Sequence, residues 1–200
     1  MSGVIDVAII DSGGANLASL QFALERLGAR SLVSSDADAI AQAPRVLLPG
    51  VGAAADAMRR LHRAGLDRLI PTLQMPLLGI CLGMQLLYQH SAEGDTECLG
   101  ILDGAVERLS TAPGRPVPHM GWNTLESIGD DPLLAGVDAA SYLYFVHSYA
   151  AAVADGTLAA VHYGRPLAAA VRHGNFRGVQ FHPERSGAVG ARILRNFLAL

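Results

Sequence analysis

Apolar runs alternate with helically spaced apolar positions through the first half of the chain. Val4 to Ile10 reads as a buried strand that ends in the polar turn Asp11-Ser12-Gly13-Gly14. Asn16 can cap the following helix, where Leu17, Leu20, Leu24 and Leu27 recur three or four positions apart and Gly28 provides the stop. Ser31 to Ser34 predicts a short second strand, Ala37 to Ala43 a helix, and Arg45 to Pro49 a third strand leading into the loop Pro49-Gly50-Val51-Gly52. A helix is expected over 53–64, a wholly apolar strand over 76–80 and a helix over 82–89.

The second half changes character. Ser141 to Ala150, Thr157 to Tyr163, Leu167 to Arg172 and Arg177 to Phe181 read as strands joined by short Gly- or Pro-containing turns, which suggests antiparallel hairpins. A last helix spans 187–200, apolar at Ile193, Leu194, Phe197 and Leu198. The expected fold is α/β: an open, mostly parallel sheet with helices on both faces, plus antiparallel C-terminal strands. At 200 residues, with no repeat or low-complexity linker, one domain over 1–200 is expected. In such sheets the site lies beyond the carboxyl ends of the parallel strands, where the loops at Asp11, Pro49 and Cys81 would meet.

Composition narrows the chemistry. The 15 basic residues are all arginine, and against 18 acidic ones they leave a net charge of −3, which argues against nucleic acid or an anionic membrane as partner. The absence of lysine removes Schiff-base chemistry and the lysine of a phosphate-binding P-loop. From Leu69 to Ala92 there is no Asp, Glu, Lys or Arg, but Pro71, Gln74, Pro76, Gly79, Gly83, Gln85 and His90 break up what would otherwise be a membrane-length stretch. The N-terminus has no basic n-region, and Cys81 and Cys98 form no CxxC pair, so a reduced, cytoplasmic setting without membrane association is expected. The histidines show no ligand spacing with cysteine or carboxylate, so neither metal nor cofactor is expected.

The sharpest feature is Gly79-Ile80-Cys81-Leu82-Gly83 between a strand and a helix, the cysteine form of the G-x-S-x-G nucleophile elbow. Flanking glycines leave room for a tight turn, the helix N-terminus favours thiolate over thiol, and the Leu82 N–H can point at a developing oxyanion. A buried structural cysteine is the competing reading. Among seven histidines, His182 in Gly178-Val179-Gln180-Phe181-His182-Pro183-Glu184 is the best proton carrier. On extended backbone His182 and Glu184 face the same side, so the carboxylate can orient the imidazole.

Gly-Ile-Cys81-Leu-Gly-Met-Gln85 together with Gln-Phe-His182-Pro-Glu184 resembles the class I, triad-type glutamine amidotransferases, whose fold is flavodoxin-like. Pro118-His119-Met120-Gly121-Trp122-Asn123 and Tyr144-Phe145-Val146-His147-Ser148-Tyr149 resemble the glutaminase subunits of imidazole glycerol phosphate synthases, enzymes of histidine biosynthesis. The opening Asp11–Asn16 segment and the Pro49–Gly52 loop fit the same group, although Ser12 and Ala15 stand where it often has an aromatic and a glycine.

The resemblance implies that Cys81 attacks the side-chain amide of glutamine while His182 and Glu184 complete a triad. It further implies that Leu82 and the Val51-Gly52 peptide hold the oxyanion, in a glycine loop that rearranges when the partner is engaged. Gln85, Glu93 and the backbone of Ser148 and Tyr149 would contact the substrate. The implied partner is a cyclase subunit, a (β/α)8 barrel forming a heterodimer that receives the ammonia under cover. His119, Met120, Trp122 and Asn123 would sit at that interface, and Cys98 would be structural. Three other readings stand beside this one: a glutaminase subunit of another synthase, such as pyridoxal phosphate synthase; a stand-alone cysteine hydrolase; and a non-catalytic binding module.

Overall fold

The computed structural model describes residues 5–11 and 17–200. The Asn16 cap, the Ser12–Gly14 turn, Ala15 and the Val4 start of the first strand lie outside that range. The first half runs β1 (Val7–Ile10), α1 (Leu17–Arg26), β2 (Ser31–Ser34), α2 (Ala37–Ala41), β3 (Val46–Gly50), α3 (Ala54–Arg63), α4 (Leu66–Leu69), β4 (Leu77–Cys81) and α5 (Leu82–Gln85). The second runs β5 (Tyr88–Ser91), β6 (Thr96–Glu97), β7 (Leu102–Arg108), β8 (His119–Asn123), β9 (Leu125–Ile128), β10 (Leu143–His147), β11 (Tyr149–Ala151), β12 (Thr157–His162), β13 (Pro166–His173), β14 (Phe176–Val179) and α6 (Gly187–Leu198).

An eight-stranded sheet in the order β2-β1-β3-β4-β14-β13-β12-β9 forms the centre. β2, β1, β3, β4 and β14 pair in parallel, and β13, β12 and β9 continue antiparallel. The strand alternation distributes side chains between two cores. Val7 and Ile9 of β1, Leu47 of β3 and Leu78 of β4 pack with Leu20 and Leu24 of α1 and Ile193 and Phe197 of α6. Ala8 and Ile10, Val46 and Leu48, and Leu77 face the other way, against Ile40 of α2, Ala57 and Leu61 of α3 and Leu66 of α4. Strands buried on both faces must be apolar throughout, which is why β1, β3 and β4 carry no charge.

The structure departs from the expected elements downstream of Cys81. The helix expected over 82–89 is one turn, and Tyr88–Ser91 is β5 instead, its Tyr88 and Ser91 buried at the ends of a strand. The segment 141–150 breaks at Ser148 into β10, which pairs with β8, and β11, which pairs with β7. These strands build a two-stranded ribbon and a four-stranded sheet, β11-β7-β5-β6, that the hydrophobic pattern did not reveal. β7 shows why: Leu102-Asp-Gly-Ala-Val-Glu-Arg buries only Leu102 and Val106. A buried ion cluster braces the antiparallel end. Asp131 accepts from Arg177 Nε at 2.9 Å and Nη2 at 3.1 Å, and from Arg172 Nη1 at 3.1 Å.

Candidate active site

β4 ends in Cys81, whose backbone sits at φ 54° and ψ −112°, a conformation few side-chain-bearing residues adopt. The turn is possible because its glycines touch backbone. A Cβ on Gly83 would lie 1.7 Å from the Leu48 carbonyl oxygen, and one on Gly79 would lie 2.6 Å from the Gly83 carbonyl oxygen. Such an elbow lifts Cys81 out of the sheet at the strand's carboxyl end. Because α5 is a single turn, its dipole is much smaller than the longer expected helix would have supplied. The sulfur's neighbours are local: Gln180 Nε2 lies 3.7 Å from Sγ, and the Val146 carbonyl oxygen 3.8 Å.

His182 follows β14, the parallel neighbour of β4, so two adjacent strand ends deliver sulfur and imidazole to the same cleft. Its Nδ1 lies 2.8 Å from Glu184 Oε1. The His182 backbone N–H donates to the Tyr144 carbonyl, and Ser186 Oγ–H donates to the His182 carbonyl, which fixes the ring's attachment. Burial disfavours the imidazolium, but the Cys81 sulfur and the Glu184 carboxylate favour it by more, raising the ring from 6.5 to about 10. Nε2 is buried and has no hydrogen-bond partner at ordinary distance, so it is left free for an arriving group.

A cavity of about 340 Å3 joins these groups, lined by Cys81, Leu82, His182 and Glu184 together with Val51, Gly52, Gln85, Glu93 and Tyr149. A larger groove of about 700 Å3 runs along α3 and β6, but none of the expected site residues lines it. Ser148 does not line the site cavity; its carbonyl accepts from the Leu109 N–H. In the glycine loop Gly52 has φ +88°, whereas Gly50 is small for space: a Cβ there would meet Gly83 N and Leu82 Cβ at 2.9 Å. Of these two loop glycines, Gly52 is therefore the one whose backbone conformation calls for glycine, and Gly50 the one that close packing requires. Glu93 Oε2 accepts from the Ala54 N–H and so caps α3, while also facing the cavity.

The expected interface residues separate by face. Met120 and Trp122 are exposed on β8, at 66% and 55%. His119 is instead buried on the inner face, its ring stacked 4.0 Å from Tyr163 and 5.0 Å from Phe145, because alternate strand residues point to opposite sides. Asn123 is half-buried and donates to the His162 carbonyl.

Gln180, His147 and Arg185 were not singled out from the sequence. Gln180 lies two residues before His182, and His147 two before Tyr149, so the same alternation that paired His182 with Glu184 could have flagged both. His147 Nδ1–H donates to the Tyr149 carbonyl at 2.8 Å, and Nε2 lies 3.0 Å from His119 Nδ1. Burial drives both rings down to about 4, so this pair is neutral near pH 7. Cys98 is the other free thiol, held up at about 11 by burial and the Glu97 charge. Cys81 thus shares a cavity with an imidazole, whereas Cys98 lies outside it with ionisation disfavoured.

The glutamine amidotransferase class-I family model matches residues 8–200. The chain is 54% identical, over 98% of both chains, to the imidazole glycerol phosphate synthase subunit HisH of Xanthomonas axonopodis pv. citri. It is 53% identical over the same shares to the HisH subunit of Xylella fastidiosa strain Temecula1. In fold it resembles a putative GMP synthase subunit of Thermoplasma acidophilum, with a TM-score of 0.75 at 17% identity, covering 100% of this chain and 94% of that one. A crystal structure described as a glutamine amidotransferase gives a TM-score of 0.76 at 21% identity, with 98% of each chain covered. The elbow cysteine beside a histidine–carboxylate pair on a neighbouring strand end, and the match along nearly the whole chain, have one reading: this chain belongs to the class-I glutamine amidotransferase family.

Proposed function

We propose that this chain is the glutaminase subunit of an imidazole glycerol phosphate synthase, acting as one catalytic unit over 1–200. Cys81 thiolate attacks the side-chain amide carbon of glutamine. The tetrahedral oxyanion is held by the Leu82 N–H and an N–H of the Val51-Gly52 peptide. His182 gives its Nε2 proton to the departing ammonia, leaving a glutamyl thioester; it then deprotonates a water, which releases glutamate. Glu184 holds the imidazolium through Nδ1. Glu93 faces the cavity as a counter-charge for the substrate ammonium, and Tyr149 lines the wall beside its carboxylate.

The observation that carries this reading is the strained Cys81 elbow in one cavity with the His182–Glu184 pair. Ammonia set free in water is protonated at neutral pH and no longer nucleophilic, so it must pass directly to a partner. That partner is the cyclase subunit, docking on the β8–β10 ribbon where Met120 and Trp122 stand exposed. Glutaminase activity of the chain measured alone and with the cyclase and its ligand tests the assignment. Activity is expected to be low alone and to rise strongly in the complex, and an isolated chain already at full rate overturns the coupling.

A further inference from the structure

We infer that Gln180 is an additional catalytic residue, a hydrogen-bond donor to the Cys81 sulfur, held in that orientation by a chain of side-chain amides anchored on the Tyr149 carbonyl. The inference rests on Cys81 being the nucleophile, as proposed above. Gln180 is fully buried, and Gln85 is 4% exposed, so neither amide is free to turn toward solvent. A buried amide is retained only if its donors and acceptors are used.

The direction of the chain follows from one atom. The Tyr149 carbonyl oxygen can only accept. The Gln85 group 2.9 Å from it must therefore be the Nε2 amide, not Oε1. The same Nε2 lies 2.9 Å from the Gln180 side chain, so the atom facing it there must be the acceptor Oε1. Gln180 then has its Nε2 on the other side of the amide, 3.7 Å from Cys81 Sγ. Both donor hydrogens of Gln85 are committed, so Gln85 braces Gln180 through Nε2 and has only its Oε1 left for a contact in the cavity it lines. The carbonyl is itself pinned, since His147 Nδ1–H donates to the same oxygen. Rotating the Gln180 amide to present oxygen to the sulfur would set two donors, or two acceptors, against each other in a buried space, which costs a hydrogen bond and a desolvated polar group.

A fixed N–H facing sulfur distinguishes thiolate from thiol. The thiol can give its proton to the Val146 carbonyl, 3.8 Å away, whereas the thiolate needs donors and finds one in Gln180. That donor matters more because the one-turn α5 supplies little dipole. Hydrogen bonds to an ionised group are stronger than those to a neutral one, so the contact favours the form that attacks glutamine.

The test is alkylation of Cys81 by iodoacetamide in the full chain, read by mass spectrometry with Cys98 as the internal reference. Gln180→Met keeps the length and loses the donor. Gln180→Glu keeps the shape and the acceptor toward Gln85 but presents oxygen to sulfur. At pH 7, Gln180→Met is expected to alkylate about tenfold more slowly, and Gln180→Glu more slowly still, both approaching the parent rate at high pH. With the cyclase present, kcat is expected to fall with KM little changed. A packing role alone would lower thermal stability without ordering the alkylation rates Gln, Met, Glu. In the unmutated chain the Gln180 side-chain amide resonances should move when Cys81 is alkylated, a reading that holds even if both variants fail to fold. Folded variants alkylating at the parent rate, or unmoved amide resonances, overturn the inference. Loss of glutamine hydrolysis in Cys81→Ala tests the assignment of the nucleophile separately.

Discussion

The backbone of Gly83 passes so close to Leu48 that the Leu48 carbonyl oxygen occupies the place a side chain would need, 1.7 Å from an ideal Cβ. One contact thereby joins the middle of β3 to the elbow that carries Cys81. Gly83→Ala cannot be relieved by a side-chain rotation, because the atom in the way is main chain. It is expected to cost about 3 kcal/mol or more and to abolish glutamine hydrolysis. Thermal melting and the coupled glutaminase assay check both. A variant that folds and turns over normally would mean that the elbow is looser than this approach implies.

Removing the His182 counter-charge should separate chemistry from binding. Glu184→Gln leaves a group of the same shape beside Nδ1 but no longer supports the imidazolium, and kcat in the presence of the cyclase is expected to fall by about a hundredfold or more. KM for glutamine should move little, since the role proposed for Glu184 is to hold the His182 imidazolium. Steady-state kinetics on the complex decide between this and a purely structural carboxylate, which would change stability and leave kcat near the parent value.

Opposite histidine shifts predict a stability optimum. His119 and His147 are lowered from 6.5 to about 4, chiefly by burial, with the neighbouring His119 and His182 charges adding to the effect on His147. The unfolded chain therefore takes up protons first as pH falls, and stability drops between about 6.5 and 4. His182 is raised to about 10, so its contribution is complete below 6.5 and is lost as pH climbs through 10. Asp131, held low by Arg177 and Arg172 against its own burial, adds to the loss on the acid side. Melting temperature against pH should peak close to 6.5, and the alkaline limb should flatten in His182→Gln. An unchanged alkaline limb in that variant would assign it to other groups.

The sequence revealed the parallel half of the fold because two-sided burial leaves β1, β3 and β4 nothing but apolar letters, and an apolar run is easy to read. It did not reveal β5, β6 and β7. Each of these strands buries only one or two residues, too far apart to show a two-residue period, and Gly104 interrupts the longest of them. The reactive pair was legible because the elbow and His-Pro-Glu are local patterns. The Gln85–Gln180 contact was not, since it joins positions 95 residues apart and depends on which end of an amide faces a carbonyl. His119 carries the same lesson: its motif marked the strand, but only the pairing with β10 shows that it faces inward beside Phe145.

Asp131 offers a stability test remote from the chemistry. Its side chain has no exposed surface, and Arg177 is nearly as buried, so Asp131→Ala leaves an uncompensated guanidinium inside the protein. The expected loss is about 3–5 kcal/mol, larger than for an exposed ion pair such as Arg30–Asp6. Denaturant unfolding of both deletions should show that ranking. If Asp131→Ala costs no more than Asp6→Ala, the cluster is wetter than its burial indicates.

Trp122 stands exposed on the face proposed for the cyclase. A ring 55% exposed is costly to leave in water, and it is built into a row: Trp122 meets Tyr144 edge-on at 5.7 Å, and the Arg185 guanidinium lies 4.4 Å over the Tyr144 ring. Arg185 also lines the cavity that holds Cys81, so the row runs from the exposed ribbon to the mouth of the site. If the cyclase docks here, Trp122 is an anchor, and Trp122→Ala should weaken the complex by about thirtyfold or more, in line with about 2 kcal/mol for an aromatic at the centre of an interface. The isolated chain should melt as before, because the ring has little to lose in the folded monomer. Calorimetric titration with the cyclase measures the first and thermal melting the second. Unchanged affinity with unchanged stability would move the docking face away from the β8–β10 ribbon.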